Sequence, residues 1–181
     1  MTRQMLLLAS SIALVSSCTR EAPPVPAATA QGGPSANEAL DRMDPRAPVP
    51  LLPMMAAHQR QSMRDHLVAI QEIVAALSTD DYPAVERAAG RIGFSEQMGQ
   101  MCTHMGAGAP GFTAQALNFH HTADRIGPAA RDRDRARVLT ELAATLQTCT
   151  SCHAVWKQQV VDEPTWRRLT SAPPPTPGAQ H

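Results

Sequence analysis

Three side chains near the end of the chain carry its most specific chemistry: Cys149, Cys152 and His153, in the run Cys149-Thr150-Ser151-Cys152-His153. Two thiols at this spacing can each add to a vinyl group of one haem, and the adjacent imidazole can then bind the iron. On a helix they occupy positions i, i+3 and i+4, so one face presents all three groups to a single cofactor. Other chemistries suit the same residue types less well. A redox dithiol wants a βαβ setting, and the residues around this one read as helix. A zinc site wants a second pair at matching spacing, which the chain lacks. One covalent haem c is the expected cofactor, with Cys149 and Cys152 as thioether anchors and His153 as the proximal iron ligand.

Haem is attached in this way outside the cytoplasm, and the N-terminus reads as an export signal. Arg3 supplies its positive charge, and Met5 to Val15 is an apolar run too short to span a bilayer stably. The run ends in Val15-Ser16-Ser17-Cys18, which resembles the lipobox of bacterial lipoproteins. Cleavage before Cys18 would let its thiol carry a diacylglyceryl group. Several acyl chains, each contributing about 0.8 kcal/mol per buried methylene, hold a protein on a membrane where one chain does not. The plainer alternative is an ordinary signal peptide cleaved farther on, with Cys18 incidental. The expected location is periplasmic, with the protein lipid-anchored to a bacterial membrane through Cys18.

The chain divides by composition. Residues 1–17 form the signal, 18–50 a flexible Pro/Ala-rich tether, 51–169 a single domain and 170–181 a disordered tail. The two tails hold most of the sixteen prolines, and such segments cannot bury enough apolar surface to offset the entropy of ordering. Sixteen basic residues balance sixteen acidic ones. With no basic patch, a nucleic-acid partner has no support. Cys18 is assigned to lipid and Cys149 and Cys152 to haem, which leaves Cys102 alone and predicts no structural disulfide. No activated nucleophile, carboxylate pair or phosphate loop is evident, so the chain does not read as an enzyme.

The domain reads as helix throughout, with aromatic content of only 3% and no alternating runs of β-branched residues. The first helix is expected from Pro53 to Leu77, with Met63, Leu67, Ile70, Val74 and Leu77 as its inward stripe. The second spans Tyr82 to Ile92, burying Val85, Ala88, Ala89 and Ile92. Ser95 to Met105 holds a helical turn or two before the break at Gly106-Ala107-Gly108-Ala109-Pro110. A third helix runs from Phe112 to Ala130, bent or shortened by Pro128. The fourth, from Asp132 to Gln159, carries Val138, Leu142, Leu146, Cys149, His153, Trp156 and Val160 on one face. Short connections imply antiparallel neighbours: an all-α, antiparallel four-helix bundle, with haem c bound near the C-terminal helix.

The segment from Cys149 to Lys157 is similar to the C-x-x-C-H-x-x-Tyr-Arg ending of the class II c-type cytochromes, the cytochrome c′ family. Trp156 stands where Tyr is commoner, and Lys157 replaces Arg. The late position of the motif also fits that family, and the resemblance covers the helical core but not the tails. It implies that a residue of the first helix faces the distal side of the iron. A Met there makes the iron six-coordinate and low-spin, suited to electron transfer, whereas an apolar residue leaves it five-coordinate and open to NO or CO. Met63 best matches the distal position, and its soft thioether would raise the potential. His66, one turn on, competes for the same role and would give a lower potential. His58 lies near the helix start, and Met54 and Met55 are expected to cover the open end of the bundle. The resemblance further implies a homodimer through the first two helices.

Two other clusters are rich in donors. Met98-Gly99-Gln100-Met101-Cys102-Thr103-His104-Met105 could serve copper, although a Met-rich segment lining the bundle or haem edge is the simpler reading. His120 and His121 point about 100° apart on a helix, so only one can face a haem. The leading expectation is a mono-haem electron carrier with His153 and Met63 as axial ligands, exchanging electrons with periplasmic redox partner proteins. The alternatives are a gas-binding haem protein in which Met63 only packs, and a non-haem metal or redox protein using Cys149 and Cys152 with Cys102 or His104.

Overall fold

The structure, a computed structural model, describes residues 33 and 35–171. The signal segment, Cys18 and the tail beyond residue 171 lie outside the described residues. The first described element, α1 (Ala36–Met43), belongs to a unit of its own. Ser35 and Glu38 close a reciprocal capping box at its start: the Ser35 amide donates to Glu38 Oε2 (2.6 Å) and the Glu38 amide to Ser35 Oγ (3.3 Å).

The second unit begins at Asp44, and its first element is a strand, β1 (Ala47–Leu51). This corrects the tether predicted to run to residue 50. Val49 and Leu51 are buried, Leu51 completely. Pro48 and Pro50 made the stretch look unstructured, yet proline is tolerated in an edge strand, where one side of the backbone needs no partner. The partner is β2 (Trp156–Val160), parallel to β1 and in register from Ala47 opposite Trp156 to Leu51 opposite Val160. A parallel pair needs a long crossover, and here most of the helical domain supplies it.

The rest is helix. α2 (Pro53–Ser78) opens with Pro53 in its first turn, where a missing N–H costs nothing. α3 (Tyr82–Gly90) is capped by Asp81, whose carboxylate accepts from the Ala84 amide at 3.1 Å. α4 (Glu96–Met105) is a full helix capped by Ser95, longer than the turn or two expected there. The predicted third helix is two: α5 (Phe112–Ala123) and α6 (Ile126–Arg131). Pro128 does not end a helix but sits in the first turn of α6, where its missing N–H is harmless. α7 (Arg135–Val155) starts from an Asp134 cap and stops short of the predicted Gln159, because Trp156 onward pairs with β1 instead. α8 (Glu163–Ser171) closes the described chain. The unit is mostly helical, as expected, with one small sheet. Among the described residues no helix is long and apolar enough to cross a membrane.

Two apolar clusters form the core. The larger is built from helices and the turn after α3, with Ile73 and Leu77 of α2 meeting Val85, Ile92 of that turn, Phe119, Ile126, and Val138 and Leu142 of α7. The smaller joins β1 to the helices: Val49, Leu51, Ala56, Met105, Ala109 and Phe112. The inward face of α2 differs from the expected one. Leu67 is 64% and Val74 52% exposed, while Ala56, Gln59, His66, Ala69, Ile73 and Leu77 are buried. At 100° per residue the two stripes lie roughly 50° apart. The pattern in the sequence favours the largest apolar side chains, but close packing selects small ones, Ala69 in the larger cluster and Ala56 in the smaller. On α7 likewise Leu146 is exposed and fully buried Thr145 takes a place on the inward face; Val160, expected on the same helix face, lies exposed at the end of β2.

Candidate functional site

The last turns of α7 hold Cys149 against the larger cluster and Cys152 against the smaller. Both thiols and the exposed His153 line one cavity of about 430 Å³, a size within the roughly 300–1,000 Å³ common for ligand sites. Cys149 Sγ donates to the Thr145 carbonyl at 3.4 Å. Burial raises the pKa of both thiols, and for Cys152 the neighbouring Cys149 adds to the rise. Reactive redox dithiols show the opposite, a depressed pKa in an electropositive setting. These two are held as neutral thiols.

α2 forms part of the lining with Gln59, Met63 and His66. Met63 is 38% exposed, in keeping with its place on the flank of the buried stripe. His66 is 8% exposed; its ring stacks on Phe119 (centroids 4.8 Å apart) and meets His120 edge-on at 5.5 Å. Burial, reinforced by His120 and opposed by Asp65, lowers its pKa to about 4, so the imidazole is neutral at neutral pH. His120 also lines the cavity, and its Nδ1 lies 2.8 Å from the Ile92 carbonyl. Facing a carbonyl, Nδ1 carries the proton and Nε2 the lone pair. His121 is at the surface, as the 100° spacing requires. The cavity thus brings together Cys149, Cys152, His153, Met63 and His66, whereas His58, the other first-helix histidine weighed as a distal ligand, does not line it.

α4 contributes Met98, Met101, Cys102 and Met105 to the lining, so the Met-rich segment does line the cavity, as a helix. Cys102 is buried and its thiol pKa raised by that burial. His58 is exposed and its Nε2 lies 2.9 Å from Met101 Sδ. Met54 is exposed, so it covers nothing, while Met55 packs on the smaller cluster.

Trp156, placed beside His153 by the sequence, and Lys157 reach the cavity from β2 rather than from a continued helix, while Gln158 and Arg46, the latter from just before β1, escaped sequence reasoning. Trp156 Nε1 donates to Gln115 Oε1 at 2.8 Å, and its ring packs edge-on against Phe112. Arg46 donates from Nη1 to the backbone carbonyls of His153 (3.1 Å) and Trp156 (3.4 Å), while Asp44 grips its other edge. Nothing local in the sequence announces a partner 107 residues away. Arg46, Arg60, Arg64 and Lys157 give the lining four cationic groups, and among the described residues no Asp or Glu lines it. Arg46 is already paired with Asp44, whereas Arg60 and Arg64 donate to the neutral amides of Gln158 and Gln61 and keep their charge for an anionic edge.

This arrangement fits a haem. An apolar plate with two carboxylates suits apolar walls with cationic groups among them, and two neutral thiols with a neighbouring imidazole suit its vinyl groups and iron. Among the described residues no three His, Cys, Asp or Glu side chains are grouped to hold a metal ion. A non-haem site built from Cys149 and Cys152 with Cys102 or His104 would need such a group; haem iron takes four donors from its macrocycle and needs only axial ones from protein. Comparison with family models, curated proteins and solved structures returned no match.

Proposed function

We propose that the chain is a periplasmic mono-haem c-type cytochrome of the class II kind that carries electrons between redox partner proteins. The observation that carries this reading is the convergence of both thiols, His153, Met63 and His66 on one cavity. In this reading α2, α3, α5 continued by α6, and α7 serve as the four helices of the bundle. Cys149 and Cys152 anchor the cofactor from two sides of the core, His153 binds the iron, and Met63 is the sixth ligand. Bound haem supplies reversible one-electron chemistry. The chain's own part is to hold the donors in place, exclude water with Phe112, Phe119 and the Met side chains of α4, and offer Arg60 and Arg64 to the carboxylate edge. The anchor on Cys18, the homodimer and the periplasmic location complete the proposal and rest on the sequence.

A second reading has an observation of its own. Met63 is more exposed than its neighbour His66, and a thioether that packs without binding would leave the iron five-coordinate and open to NO or CO. His66, neutral and on the same cavity, is the rival sixth ligand. Optical spectra of the purified protein separate the three. A low-spin spectrum with the weak near-infrared sulfur-to-iron band supports Met63, a low-spin spectrum without it supports His66, and a high-spin spectrum supports gas binding. The pyridine haemochrome should report two thioether bonds; haem lost on acid–acetone extraction would overturn the proposal.

A further inference from the structure

The C-terminus of α7 is where the proximal histidine sits, and it lacks the usual glycine cap. Trp156, the residue after the helix, is extended (φ −114°, ψ 142°). Helix ends leave their last carbonyls without intrahelical partners. At this end one of those oxygens, of His153, and the carbonyl of Trp156 just beyond accept from a single guanidinium nitrogen, Arg46 Nη1. A cation is also favoured there by the helix dipole.

Arg46 is itself held on its other edge. Its Nε donates to Asp44 Oδ1 at 3.0 Å and its Nη2 to Asp44 Oδ2 at 2.7 Å, a two-point grip matched to the planar fork of arginine. The Arg46 amide bonds the same carboxylate at 3.1 Å, and Lys157 Nζ donates to the Asp44 carbonyl at 3.0 Å. Immediately beyond, the β1–β2 ladder fixes the two segments in register. The hydrogen bonds from Arg46 hold the Asp44 carboxyl down at about 2, so the pair stays charged through the neutral range.

We propose that Arg46 is a positioning residue for His153: by clasping the carbonyls of His153 and Trp156 it sets the direction from which the imidazole meets the iron, and its charge on the cavity wall favours the reduced state. This rests on the haem reading. A nearby cation stabilises the less positive ferrous form, and the Asp44 carboxylate offsets part of that effect. Lysine in place of Arg46 keeps the charge but lacks the planar fork whose two-point grip on Asp44 fixes where the carbonyl-bound nitrogen sits.

The test uses the holoprotein and two readouts, the midpoint potential and the pattern of haem-methyl proton shifts, which reports the orientation of the axial imidazole. Arg46→Gln should lower the potential and reorder the methyl shifts. Arg46→Lys should keep the potential near that of wild type and still reorder the shifts. Asp44→Asn should raise the potential. A loss of global stability alone would move none of these in opposite directions. Haem-bearing Arg46→Gln protein with wild-type potential and shifts overturns the inference. If that variant does not fold, wild-type shifts in Arg46→Lys together with an unmoved potential in Asp44→Asn overturn it equally. Wild-type protein without covalent haem overturns the haem reading itself and this inference with it.

Discussion

The two apolar clusters of the domain are built on different principles. The larger brings aliphatic side chains together from helix faces, with Ile73, Val85, Ile126 and Val138 all but fully buried. The smaller is assembled from a proline-containing strand, the first turn of α2, the end of α4 and the loop before α5, and it includes methionine and aromatic side chains. Cys149 leans on the first and Cys152 on the second, with the cavity lined from both. The contrast teaches where rigidity and adaptability are placed. Close-packed aliphatic groups hold α7 in position, while the pliable thioethers of Met101 and Met105 can settle around a bulky ligand.

The sharpest way to break this division is at the two thiols. Cys149→Ala together with Cys152→Ala should abolish covalent haem, read as complete loss of the haem stain on a denaturing gel, while the larger cluster keeps the chain helical by circular dichroism. Loss of helix as well would mean that the larger cluster does not stand on its own. Next in size is Met63→Leu, which should remove the near-infrared sulfur band, convert the iron to high-spin and admit CO. His66→Ala should leave that band in place.

Within the larger cluster, Ile73→Ala should cost about 2–5 kcal/mol in urea denaturation, with the haem spectrum unaltered. A changed spectrum would show that the clusters are not separable. His66 gives a smaller, pH-dependent effect in haem-free protein. Its imidazole titrates at about 4 in the native state against about 6.5 when unfolded. The unfolded chain therefore takes up the proton first as pH falls, and stability should drop by up to about 3 kcal/mol between pH 6.5 and 4 and stay level above it. A flat profile across that window would mean that water reaches the ring. Smallest of all is Leu67→Ser. On the observed face of α2 it should change stability by less than about 0.5 kcal/mol, whereas the stripe expected from the sequence pattern would make it several times more costly.

Much of this protein was legible without coordinates. The spacing Cys149-x-x-Cys152-His153 places three donors on one helix face because of the 3.6-residue repeat alone. The inward residues of α3 followed from the same repeat. Two things were not legible. The rotation of α2 depends on how closely its neighbours approach, which decides whether Ala69 or Leu67 faces the core. The clasp of Asp44 and Arg46 on the end of α7, and the strand pairing beside it, join segments more than a hundred residues apart. Periodicity and capping are local and can be read from one stretch of chain. The choice among helix faces and the meeting of distant strands depend on packing and on which backbone groups find partners, and these exist only once the tertiary structure has formed.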